Sequence, residues 1–152
     1  MLIVMVLLAI VGGALLSVQA AINGRLGGQV GILKCAFLTF SLGALVTGLL
    51  IFFVEPLGPQ TLLEVPRWQV MGALCGVPYI IIMVLAVQRI GSAIATVSVI
   101  FGQLLMSIII DNYGWLGNHA IPVSGSRWLA MALLAGALVL IYQSNRKPEA
   151  KA

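Results

Sequence analysis

The sequence predicts an all-α fold, a polytopic membrane helix bundle with five transmembrane helices. Three observations lead there. Hydrophobic residues make up 61% of the 152-residue chain, charged residues only 8%, and the mean hydropathy is +1.14. A soluble domain carries roughly 25% charged residues, so these charges are too few to cover a water-facing surface. The apolar residues also fall into five runs, at about 2–22, 36–54, 68–87, 93–110 and 128–142. Each is close to the roughly 17–25 residues a helix needs to cross the hydrocarbon core. Period-2 alternation is absent, which argues against a barrel and leaves helices to satisfy the backbone in lipid. The length suits one transmembrane domain over 1–152.

The first run, Leu2 to Ile22, is too long for a signal-peptide core and lacks a basic start, although Val18-Gln19-Ala20 has a small-x-small pattern. After it comes Asn23-Gly24-Arg25-Leu26-Gly27-Gly28, a predicted glycine-rich turn. It is no phosphate loop, because no Lys-Ser/Thr follows the glycines. The second run ends at Glu55, and 55–67 contains Pro56, Gly58, Pro59 and Pro66, a predicted exposed loop. The third run carries Pro78, which predicts a kink. Gln88 to Ser92 is a predicted tight hairpin. A longer connection, Asp111 to Arg127, precedes the fifth run, and a polar tail follows Tyr142. Trp68, Trp115 and Trp128 stand near span ends, where interfacial aromatics belong.

Orientation follows from the basic residues. With five spans, Arg25, Lys34, Arg89, Arg146, Lys147 and Lys151 share one side, and Arg67 and Arg127 the other. Six against two predicts an outside N-terminus and a cytoplasmic C-terminus.

Small residues let membrane helices approach closely. They recur four apart at Gly13, Ser17 and Ala21, at Ala44 and Gly48, at Gly72 and Gly76, and at Ala132 and Gly136. Close packing is their expected role, and the last run has the look of a packing or dimerisation surface. Cys35 and Cys75 lie in apolar runs and are expected as small packing residues.

Polar residues within spans say more, because an amide or carboxylate facing lipid is costly. Gln19 and Asn23 lie four apart and share a face. Thr96, Gln103, Ser107 and Asp111 form a stripe on the fourth run, and Tyr79 adds a phenol beside Pro78. These seven are the candidate solute-binding residues. Interhelical hydrogen bonds or helix-end capping would equally account for Gln19, Gln103, Asn23 and Asp111.

Enzyme chemistry is not expected. His119 is the only histidine and the four acids are scattered, so no Ser-His-acid triad and no metal-ligand cluster is in prospect. No cofactor is expected. Basic residues do not cluster among aromatics, which argues against nucleic acid. A bundle with a few uncharged polar groups inside suits passage of a small solute.

The same residues carry a family resemblance. Gly-Gly-x3-Ser-x-Gln-Ala-Ala-Ile-Asn-Gly-Arg-Leu-Gly at 12–27, Gly-Ala-Leu-Cys-Gly-Val-Pro-Tyr at 72–79, Gly-Gln-Leu-x2-Ser-x3-Asp-x-Tyr-Gly at 102–114 and the stretch 122–127 all contribute. Together they resemble the five-helix YdcZ-type branch of the drug/metabolite transporter (EamA-like) superfamily. The resemblance implies a bacterial inner-membrane half-transporter, a secondary carrier or exporter of small metabolites or drugs. Its site would lie near the midplane between oppositely oriented halves, lined by the first four helices. It names no substrate. Small multidrug exporters of the superfamily carry a glutamate on helix one, where this chain offers Gln19, which cannot ionise. The charge bias favours an oppositely oriented, related partner over a dual-topology homodimer. The alternatives are a small dimeric ion channel of the fluoride-exporting type and a non-transporting membrane subunit.

Overall fold

The computed structural model describes residues 1–54 and 66–145. Residues 55–65 of the loop predicted at 55–67, and the basic tail residues Arg146, Lys147 and Lys151, lie outside the described residues. The described fold is all helical: α1 (Leu2–Val30), α2 (Ile32–Val54), the short α3 (Arg67–Val70), α4 (Gly72–Tyr113) and α5 (Gly125–Asn145), with one 3-10 turn, Trp115–Gly117. Among the described residues, four helical stretches are long and apolar enough to cross a membrane. The fold divides into two compact units, Met1–Arg89 and Ile90–Ala152.

In the first unit, α1 and α2 form a helical hairpin whose corner is a single residue. Gly31 N–H donates to the Gly27 carbonyl at 3.1 Å, and Cys35 N–H donates to the Gly31 carbonyl at 3.0 Å, so helical bonding runs up to the corner and resumes from it. Gly31 has φ 93° and ψ 151°, a conformation essentially restricted to glycine. This corrects the turn expected at 23–28: those residues are helical, and α1 continues to Val30.

The glycines at 24 and 27 serve close approach instead. A Cβ at Gly24 would collide with Val87 Cγ1, and one at Gly27 with Val84 Cγ1. Of the small residues expected to pack, Gly76 does, its would-be Cβ standing 3.3 Å from the Phe40 ring, while Gly13, Gly48, Gly72 and Gly136 have no heavy atom within 4 Å. The core of this unit is Cys35, Ala36, Ile80 and Val84, with Leu26, Ile32, Tyr79 and Ile81 against it. Cys35 fulfils the packing expectation at 0% exposure, whereas Cys75 is exposed.

Pro78 lies inside α4 without a non-helical residue beside it; the break comes at Gly91, φ 81° and ψ 162°. In the stretch Gln88–Ser92, where a tight hairpin is expected, the one non-helical residue is Gly91, so two helical segments meet there. In the second unit the buried side chains are Ile94, Ala95, Ile108 and Met131. The connection between α4 and α5 is organised by Asp111. Its carbonyl accepts from Ile121 N–H at 2.8 Å, and its carboxylate accepts from Arg127 Nη1 at 3.2 Å. Tyr113 and Trp115 stack at 5.6 Å between centroids.

Hydroxyls with no neighbour to bond turn back onto their own helix. Ser17 donates to the Gly13 carbonyl at 3.1 Å and Thr47 to the Gly43 carbonyl at 2.8 Å. Such back-bonding satisfies a donor that lipid cannot.

Candidate functional site

The corner at Gly31 determines which polar residues meet. In an antiparallel hairpin, residues at equal distances from the corner face each other. Gly27 and Cys35 flank it at four residues and approach within 3.7 Å of a would-be Cβ. Asn23 and Thr39 flank it at eight, and the Thr39 hydroxyl donates to Asn23 Oδ1 at 3.2 Å. The Cys35 thiol donates to the Asn23 carbonyl at 3.3 Å. Asn23 is consequently 8% exposed, the one buried polar residue among those described. From α4, Gln88 Nε2 donates to the Gly24 carbonyl at 3.1 Å, which fixes α4 on α1 one residue along.

Above this clasp lies a cavity of about 200 Å³, lined by Leu16, Gln19, Ala20, Asn23, Phe40, Gly76, Tyr79, Ile80, Met83 and Val84. All its walls belong to the first unit. Gly76 brings α4 close to α2: a Cβ there would stand 3.3 Å from the Phe40 ring. Three candidates singled out by sequence, Gln19, Asn23 and Tyr79, line this one cavity. Asn23 Oδ1 is occupied by Thr39, which leaves its NH2 to donate. Among the described residues, the Gln19 amide and the Tyr79 hydroxyl make no hydrogen bond.

No charged side chain lines the cavity. An ion buried there would lose hydration worth several kcal/mol with no opposite charge to replace it. A single aromatic face returns only about 0.5–2 kcal/mol to a cation.

The chain matches the family described as "Putative inner membrane exporter, YdcZ" over residues 4–140. It belongs to that family. The match takes in every long helix, and it places the chain in the YdcZ-type branch of the drug/metabolite transporter group, a membrane transporter family rather than an enzyme class. No curated protein and no solved structure gives a match.

The other four candidates lie in the second unit of this YdcZ-family chain. Thr96 and Asp111 are half-buried, while Gln103 and Ser107 are exposed. None of the four lines either cavity. The Asp111 carboxylate is engaged by Arg127. A second cavity of about 510 Å³ lies against Ile90, Ile94, Ser98, Leu138, Val139, Tyr142 and Gln143. The Ser98 hydroxyl donates to the Ile94 carbonyl at 2.8 Å, so toward that space it can only accept.

Sequence reading missed Thr39 and Gln88, the residues that hold Asn23 and Gly24 in place. Placing the corner at Gly31 would have found Thr39, because it fixes the register of the hairpin.

Proposed function

We propose that this chain is one half of a secondary transporter that exports a small solute across the bacterial cytoplasmic membrane, and that the solute binds in the α1–α2–α4 cavity. One observation carries the reading: three polar side chains from two helices, Gln19, Asn23 and Tyr79, converge on one otherwise apolar cavity in a chain of an exporter family. Largely apolar pockets with a few convergent polar groups are where small molecules bind. Solute contact is assigned to those three residues. Thr96, Gln103 and Ser107 are assigned to the part of the pathway along the later half of α4. Asp111 is assigned to its ion pair.

The reading includes five spans. A helix as long as the 42-residue α4 would measure about 63 Å at about 1.5 Å per residue, twice the roughly 30 Å hydrocarbon core. The break at Gly91 supports counting it as two spans. Five spans and the six-to-two distribution of basic residues give an outside N-terminus and a cytoplasmic C-terminus. The same asymmetry favours a related partner inserted the opposite way over a homodimer of mixed orientation.

The test is flux in proteoliposomes against a panel of neutral, cationic and anionic metabolites. Saturable transport of at least one member is expected, reduced at least about tenfold by Met83→Trp, which fills the cavity. A folded, reconstituted protein with no flux across the panel overturns the reading; ion currents without saturation would assign a channel instead.

A further inference from the structure

The exporter reading leaves open what enters the cavity; we infer that the cavity selects a small uncharged solute carrying both a hydrogen-bond donor and an acceptor on an apolar body. This rests on the proposal that the cavity is the transport site. The size it suits follows from the volume of about 200 Å³ in this half. A dry apolar cavity of about 150 Å³ takes up one benzene, so the fitting solute has about eight to ten non-hydrogen atoms. Drug-sized ligands need about 300 Å³ or more.

Polarity follows from what the lining side chains have left to offer. Asn23 supplies N–H donors, since Thr39 holds its oxygen. Gln19 and Tyr79, without hydrogen bonds among the described residues, can each donate and accept. A hydroxyl or primary amide on the solute meets all three. Leu16, Phe40, Ile80 and Met83 take the apolar remainder.

This half offers a charged solute no partner in its lining. Neither a carboxylate nor a guanidinium or ammonium stands among the lining residues. Arg127 and Asp111, which pair with each other, belong to the second unit. Gln19 occupies the face where a carboxylate would have created a cation site, and its amide cannot ionise.

Four compounds of nearly equal size test this: benzamide, benzyl alcohol, benzoate and benzylammonium, at pH 7, by saturation-transfer NMR on protein in lipid nanodiscs with empty nanodiscs subtracted. Benzamide and benzyl alcohol are expected to bind saturably, with Kd at least about tenfold below those of the two ions, or about 1.4 kcal/mol. Gln19→Leu and Tyr79→Phe, both close in shape to the native side chains, are each expected to weaken benzamide about threefold to tenfold while leaving the preference against benzoate intact.

An ion that binds as tightly as benzamide overturns the assignment while leaving the cavity as the export site. If no probe binds but proteoliposomes carry another solute, the assignment falls and the export reading stands. If there is neither binding nor flux, both fall.

Discussion

The Thr39 hydroxyl donates to Asn23 Oδ1 at 3.2 Å, and the two residues stand eight positions to either side of Gly31. This bond holds a buried amide in a known orientation at the base of the cavity. Interhelical hydrogen bonds in membranes average about 0.6 kcal/mol and reach about 1.7. Thr39→Val and Asn23→Val are each expected to cost an amount in that range, the first leaving Asn23 Oδ1 without its donor and the second leaving Thr39 to bond back onto its own helix. A double-mutant cycle in SDS unfolding measures the coupling; a coupling of zero would show that the bond does not contribute.

Gly24 and Gly27 should tolerate no side chain while Val87 and Val84 keep theirs. Gly27→Ala is expected to lower the yield of folded protein sharply, and adding Val84→Ala should restore much of it. Size-exclusion profiles in detergent report both. Failure of the second change to rescue would place the tight contact elsewhere.

Gly31 and Gly91 hold φ of 93° and 81° with ψ near 150–160°. Placing alanine in such a region costs about 1–3 kcal/mol. Gly31→Ala and Gly91→Ala should each show that loss, whereas Gly12→Ala, with nothing within 4 Å of the new methyl group, should be nearly neutral. Equal effects at all three positions would contradict the backbone argument.

The Asp111–Arg127 pair is about one-third exposed on each side, 28% and 33%. Water and salt screen a pair like this, and exposed pairs contribute about 0–1 kcal/mol. Asp111→Asn is expected to cost little stability, less still at high salt, and to leave transport near the native rate. Loss of transport in a folded Asp111→Asn protein would make Asp111 a proton carrier and displace the view of it as a tether between α4 and α5.

Much of this architecture was legible in the sequence because lipid leaves so few options. The apolar runs located the helices, and the four-residue spacing of Gln19 and Asn23 put both amides on one face, where they line the same cavity as Tyr79. The errors share a physical cause. Asn23-Gly24-Arg25-Leu26-Gly27-Gly28 has the composition of a turn, yet its glycines admit Val84 and Val87 against α1, a demand that only tertiary structure reveals. Gly31, flanked by Val30 and Ile32, carries no local turn chemistry beyond itself. Without that corner, Thr39 had no visible reason to face Asn23. The stripe of Thr96, Gln103, Ser107 and Asp111 is no such error: its four residues lie along one helical stretch of the second unit, with Asp111 paired to Arg127.

A connector of one residue also leaves no slack. Fully extended, one residue spans at most about 3.6 Å, less than the roughly 5.4 Å of a helical turn. To ratchet past α2 by one turn, α1 would have to unwind. Sliding of α1 along α2 is therefore blocked by the corner itself, whereas an angular opening of the hairpin about Gly31 needs no extra chain.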